Sequence, residues 1–284
     1  MATNDSDSGA PELLSKIHEA LQLVHNPHSS NDSRREAQDF LELVKSFDEA
    51  PMRGYELASD QNQSFVVRHY ALSLLEHAIK HRWAEYTPEQ SGALRDWVMR
   101  LCQTVSGSDA GYLRAKAAQL WIEIAKRSWG GEWMNMDELL VQLWEVPDSP
   151  AHKELVLTTL ETLSEEVFVG EDAVVAMRES ILSRATVEIF TPLDDLVASF
   201  PNRQGFSSIR WGNEGWLGRI CYLLCQCLST DLVSNQEVRI VAVKALAVLT
   251  SLLAWIIPRA VISTGCIDIL NTALAAPHVA VQKV

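Results

Sequence analysis

Two groups of residues in this sequence have the types and spacing that site chemistry requires. His77 and His81 stand four positions apart, so on a helix their imidazoles share one face at a metal-capable spacing. A zinc site takes three or four ligands, and no third stands beside this pair, so both are read as structural or surface histidines. Cys221, Cys225 and Cys227 form a Cys-x3-Cys-x-Cys run among leucines and an isoleucine. Cys221 and Cys225 share a helix face while Cys227 does not, which makes coordination awkward and favours buried core thiols. The GxxxxGK and GxGxxG phosphate loops, HExxH and GxSxG are absent, and Gly205 and the glycines from Gly212 to Gly218 follow no strand. The expectation is a binding protein with no catalysis of its own, no cofactor and no resident metal.

Charge narrows the partner. The 284 residues carry 24 Lys+Arg against 37 Asp+Glu, a formal net charge of -13. From Asn235 onward only Glu237 and Asp268 face Arg239, Lys244, Arg259 and Lys283, so the acidity lies in the preceding residues. Such a surface repels phosphate backbones and suits a basic protein partner. Nine tryptophans could stack nucleotides, but Trp121, Trp129, Trp133, Trp144 and Trp255 fall on helix stripes or turns, with Lys126-Arg127 as the one basic pair nearby, so they are assigned to packing. Residues 1–10 are polar and read as a disordered tail without a secretory signal. The apolar run from Ala245 to Ile257 is shorter than the ~20 residues of a spanning helix. Bounded by Lys244 and Pro258, it reads as a core helix rather than a membrane insertion. The five cysteines are therefore expected to be reduced thiols of an intracellular protein, and the sequons at Asn4, Asn31 and Asn62 to be chance matches.

Helical period runs through almost the whole chain. Leu13, Leu14, Ile17, Leu21 and Val24 make one apolar stripe, and Ala37, Phe40, Leu41 and Val44 the next, with Ser33 and Glu36 as its expected capping box. Val67, Tyr70, Ala71, Leu74, Leu75, Ala78 and Ile79 form the clearest stripe. Thr87-Pro88-Glu89-Gln90 is a strong helix start before Leu94, Trp97, Val98, Leu101, Cys102 and Val105. Further stripes follow at Leu113 to Ile124, Met136 to Leu143 and Val156 to Val167. Asp172 to Phe190 continues as helix up to a break at Pro192, and Pro201 to Gly215 is a loop. Trp216 to Leu228 and Val238 to Ile257 are again helical. Pairing the helices puts unit starts near Leu13, Pro51, Pro88 and Trp133, close to the ~40–47 residue period of HEAT and armadillo repeats. A single pair cannot bury its apolar face, so the expected fold is all-α, a HEAT-repeat α-solenoid of roughly six helix pairs.

The stretch Val67 to Trp83, VRHYALSLLEHAIKHRW, is more specific than a generic amphipathic helix. It resembles the second repeat of the karyopherin-β (importin-β superfamily) nuclear transport receptors, most closely the exportin-five family. Asn26 to Phe47 adds the Arg-x-x-Ala-x-x-Phe-Leu arrangement of importin-β N-terminal domains. Ile122 to Met136 resembles that family's basic-Trp-spacer-Trp segment, with Gly130-Gly131 where relatives carry proline. LVLTTLETLSEEV and VKALAVLTSLLAWI resemble the helices that precede the exportin-type domain. The resemblance implies Ran-GTP binding by residues 11–129, with residues 130–284 as further HEAT repeats of a piece truncated at its C-terminus. Its open end is expected to self-associate. It also implies protein cargo, structured RNA carried by regions beyond this piece, contacts with nucleoporins, and shuttling between nucleus and cytoplasm. On this reading Arg35, Asp39, Glu42 and Ser46, with His69, Ser73, Glu76 and Lys80 from the next unit, form part of the Ran-binding face, acidic groups meeting a basic surface. The competing reading is a solvated helix face carrying a Glu76–Lys80 pair in a scaffold unrelated to transport.

Overall fold

A computed structural model describes residues 9–202, 213–276 and 278–282. Among these residues the regular structure is helical, and the one β-bridge joins Trp129 to Trp133. Among the described residues, those up to 104 with 109–120 form one compact unit, and 105–108 with those from 121 onward form another. The fold is all-α, of the HEAT-repeat class.

In the first unit α1 (Gly9–His25) packs on α2 (Asn31–Val44), and α3 (Ala50–Ser59) on α4 (Phe65–His81). A short 3-10 turn at Trp83–Glu85 leads to α5 (Pro88–Gln103), which lies against α3, and α6 (Gly111–Ser128) follows, belonging to this unit up to Leu120. The apolar stripes make the core. Every member of the α4 stripe is buried, and Leu74, Leu75 and Ile79 are wholly so, each contributing about 1.5–3 kcal/mol of transfer free energy. Gly54 lets α3 and α4 approach closely, since a Cβ there would sit 2.8 Å from the Ala71 carbonyl oxygen. The Tyr70 hydroxyl donates to the Leu41 carbonyl at 2.8 Å, fixing α4 against α2.

Two helix starts test the capping expectations. Thr87 and Gln90 form the expected capping box, Thr87 N–H donating to Gln90 Oε1 at 2.9 Å and Gln90 N–H to Thr87 Oγ1 at 3.4 Å. The box expected at Ser33 and Glu36 lies one turn too late. Ser30 is the N-cap of α2, extended at φ -66° and ψ 157°, and its Oγ accepts from Ser33 N–H at 3.1 Å. Ser33 thus sits inside the first turn, where its own N–H needs the cap.

In the second unit α7 (Met136–Trp144) pairs with α8 (Pro150–Phe168), which also contacts α9 (Ala173–Phe190). After α10 (Leu193–Ser199), α11 (Gly215–Leu228) and α12 (Gln236–Leu252) pack together, and α12 lies along α8. The chain continues through α13 (Pro258–Ser263), α14 (Cys266–Leu274) and α15 (Val279–Gln282). Gly215 is required where it stands: its φ is +62°, and a Cβ would fall 2.6 Å from the Phe190 carbonyl oxygen. The helix expected over 238–257 ends at Leu252, and beyond the following turn Pro258 opens α13, with Ile257 before it extended at φ -61° and ψ 121°. The released turn lets Trp255 stack on Phe168 and donate its Nε1–H to Ser164 Oγ at 2.8 Å. Among the described residues no helix is long and apolar enough to cross a membrane. Of the expected 201–215 loop, residues 203–212 lie outside the described residues. So do residues 1–8 of the expected tail, while α1 already includes Gly9 and Ala10.

Candidate functional site

Burial of the α2 stripe forces Arg35, Asp39 and Glu42 outward, and all three are exposed. Ser46 lies just past the end of α2, where its Oγ donates to the Leu43 carbonyl at 2.7 Å. On α4, burial of the Tyr70–Leu74 and Ala71–Leu75 lines leaves His69 exposed and Ser73, Glu76 and Lys80 half-buried. The structure therefore presents both predicted rows on the polar sides of neighbouring helices.

The α4 row is tied into the fold more firmly than a solvated face would be. Glu76 Oε1 accepts from Lys80 Nζ at 3.0 Å, and its Oε2 accepts from Lys116 Nζ of α6 at 2.5 Å. Burial works against the Glu76 carboxylate, but these two ammonium groups outweigh it and hold its pKa below the usual value. Lys116 also reaches Gln119 Oε1 at 3.3 Å. The His69 ring meets the exposed Tyr112 ring of α6 edge-on at 5.4 Å, and burial, then the charge of Lys116, lowers its pKa. Sequence reasoning missed Tyr112, Lys116 and Gln119. Their signal was present, a polar line at four-and-three spacing beside the apolar line of Leu113, Ala117 and Leu120.

On α2, Glu42 Oε1 accepts from Lys45 Nζ at 2.6 Å, whereas Arg35 and Asp39 make no ion pair among the described residues. Arg35, Lys45, Lys80 and Lys116 thus stand against Asp39, Glu42 and Glu76. The face is mixed in sign rather than acidic, and Asp39 is its one unpaired carboxylate among the described residues. Glu42 and Glu76 have each drawn a lysine, which offsets the carboxylates of this face.

His77 and His81 stack obliquely on α4 at 4.9 Å between ring centres. Burial, then His81 and the cations Lys45 and Arg82, push the His77 pKa down. Among the described residues no group of three or more His, Cys, Asp or Glu could hold a metal ion. Cys221 and Cys227 are buried, but Cys225 is exposed, which corrects the expectation that the run is buried throughout. The buried face of α11 is set by Ile220, Leu224 and Cys227 with Trp216, Leu217 and Cys221, and Cys225 falls just outside it.

The family model described as Importin-beta N-terminal domain matches residues 37–102, from within α2 to the last turn of α5. Protein MSN5 of Saccharomyces cerevisiae is 30% identical over 283 residues, covering 95% of this chain and 22% of that protein. Exportin-5 of Dictyostelium discoideum is 26% identical over 155 residues, 55% of this chain and 13% of that protein. Exportin-5 of Mus musculus is 28% identical over 163 residues, again 55% and 13%. The chain belongs to the Exportin-5 family of karyopherin-β proteins. It spans about a fifth or less of the length of these relatives. Seven of the eight face residues, from Asp39 to Lys80, fall inside the matched importin-β N-terminal span, and Arg35 lies just before it. Tyr112 and Lys116 lie beyond it, although Lys116 completes the Glu76 site.

Proposed function

We propose that this chain is the Ran-GTP-binding part of a nuclear export receptor, a shuttling protein that binds partners and catalyses nothing itself. The observation that carries the proposal is the Importin-beta N-terminal domain match, which falls on the helices presenting the polar face. In this reading residues 11–129 hold Ran-GTP through Arg35, Asp39, Glu42, Ser46, His69, Ser73, Glu76 and Lys80. Residues 130–284 continue the repeats toward an exportin-type domain. Protein cargo and structured RNA are taken by regions beyond this piece, and nucleoporins contact the receptor in transit. Ran-GTP and cargo each favour the same arrangement of the repeats, so each raises the other's affinity by linkage.

The mixed charge of the face makes Asp39 the sharpest test. With Ran locked in its GTP and GDP forms, capture is expected to be selective for GTP. Reversing Asp39 and Glu42 together, Asp39→Lys with Glu42→Lys, should slow association several-fold at low salt. The effect should fade toward ~1 M ionic strength, where the Debye length falls to about 3 Å. Unchanged association would remove these residues from the site, and equal capture of both nucleotide forms would favour a non-transport scaffold.

A further inference from the structure

Within the first unit α1 packs chiefly on α2 and touches α4. One side chain also ties it to the turn between α3 and α4. His18 is half-buried and both of its ring nitrogens are engaged: Nδ1 lies 2.7 Å from the Leu14 carbonyl oxygen, and Nε2 lies 2.7 Å from Gln63 Oε1. The Gln63 amide is oriented by Asp60, because its Nε2 donates to Asp60 Oδ2 at 2.9 Å and a carboxylate oxygen only accepts. Asp60 is ionised, since bonds from the Asn62 N–H and then from Gln63 hold its pKa below the ordinary value. His18 therefore faces two acceptors. A neutral imidazole has one N–H and serves one of them, leaving its other nitrogen lone pair against an oxygen, whereas the imidazolium serves both.

The charges around the ring favour the same state. Asp60, reached through Gln63, draws positive charge toward it. Arg68 of α4 acts on Asp60 but is committed to the Ala58 carbonyl at 3.2 Å and to Asp109 at 2.5 Å. From α2, Glu36 lines with Lys16 and Glu19 a groove on the other flank of α1.

We propose that His18 is a pH-sensitive clasp that closes α1 onto the turn between α3 and α4 when doubly protonated and releases it on losing a proton. The Leu14 carbonyl lies one turn back on the same helix, so the single N–H of the neutral ring stays on Nδ1 and the bond to Gln63 is the one lost. Both bonds are present on the acid side, and the hold weakens as pH rises through the range of about pH 5–8 in which histidine changes charge.

The test uses the full chain with isotope-labelled histidine. Long-range proton–nitrogen spectra, with His18→Gln to assign the signals, are followed from about pH 5.5 to about pH 8. His18 should carry protons on both ring nitrogens at the acid end and on Nδ1 alone at the alkaline end. Over the same range the hydrogen-exchange protection of α1, corrected for the intrinsic pH dependence of exchange, should fall about fivefold, the worth of one hydrogen bond. In Gln63→Ala the ring still titrates but has nothing to hold, so that fall should be absent. The proposal is overturned if α1 protection in the parent does not change with pH, if it falls equally in Gln63→Ala, or if neutral His18 keeps its proton on Nε2. The parent's spectra and exchange decide the matter even if a variant folds poorly.

Discussion

Lys126 offers the most exacting test of how the second unit is held together. Its ammonium is 1% exposed and lies 2.8 Å from Glu123, 3.1 Å from Glu166 and 2.7 Å from Asp172, joining α6, α8 and the cap of α9. Lys126→Met keeps the aliphatic stem and removes the charge. Breaking a buried pair by deleting one partner costs about 3–5 kcal/mol. The lower end applies, because Arg127 still meets Glu123 at 2.8 Å, and Glu166 and Asp172 are 31% and 30% exposed, so water can take over. A loss of about 3 kcal/mol, at about 2–4 °C per kcal/mol for 150–250 residues, lowers Tm by roughly 6–12 °C. The deficit also carries a pH signature. Burial opposes the Asp172 carboxylate, but the bond from Lys126 outweighs it and holds its pKa below the ordinary value. Its contribution is therefore present above the unfolded carboxylate pKa of about 3.9 and is lost as pH falls through the lower native value. The variant has no such contribution to lose, so the gap between the two proteins should narrow on acidification. Thermal melts followed by circular dichroism from about pH 7 to about pH 3 would read both effects. A melting point within about 2 °C of the parent at neutral pH, or a gap that stays constant with pH, would refute the reasoning.

Two further substitutions probe the first unit. Gly54→Ala places a methyl 2.8 Å from the Ala71 carbonyl oxygen and 3.0 Å from Leu74 Cβ, and should cost about 1–3 kcal/mol, measured as a lower urea midpoint. Thr87→Ala removes one half of the α5 capping box and should cost about 1 kcal/mol in the same assay, with m unchanged.

The helices were legible because their signal is local. The Val67 to Ile79 stripe repeats within a few turns, and each predicted member is buried. Thr87-Pro88-Glu89-Gln90 announced a cap that needs only four neighbouring residues. The errors arose where a choice between near neighbours depends on backbone angle. Ser30 rather than Ser33 caps α2 because it is the residue that adopts the extended conformation. Pro258 was read as the boundary, but the helix already ends at Leu252, and no proline or glycine marks that point. The candidate face was half legible. Its exposed members follow from the period, but Lys116 lies 40 positions from Glu76, and nothing in either segment announces the other. The Lys126 cluster was invisible for the same reason, since Asp172 is 46 positions away. Lys126-Arg127 read only as a basic pair.

Arg178 of α9 donates to the carbonyls of Lys126 at 2.7 Å and Trp129 at 2.5 Å, with a longer contact to Ala125 at 3.4 Å. Those oxygens belong to the last turn of α6 and the turn after it, where a helix ordinarily leaves its acceptors to solvent. With a guanidinium bound to them, the end of α6 loses its usual freedom to fray. Local opening there requires α9 to separate, so the last turn of α6 inherits the slow hydrogen exchange of the packed interior rather than the fast exchange of a helix end.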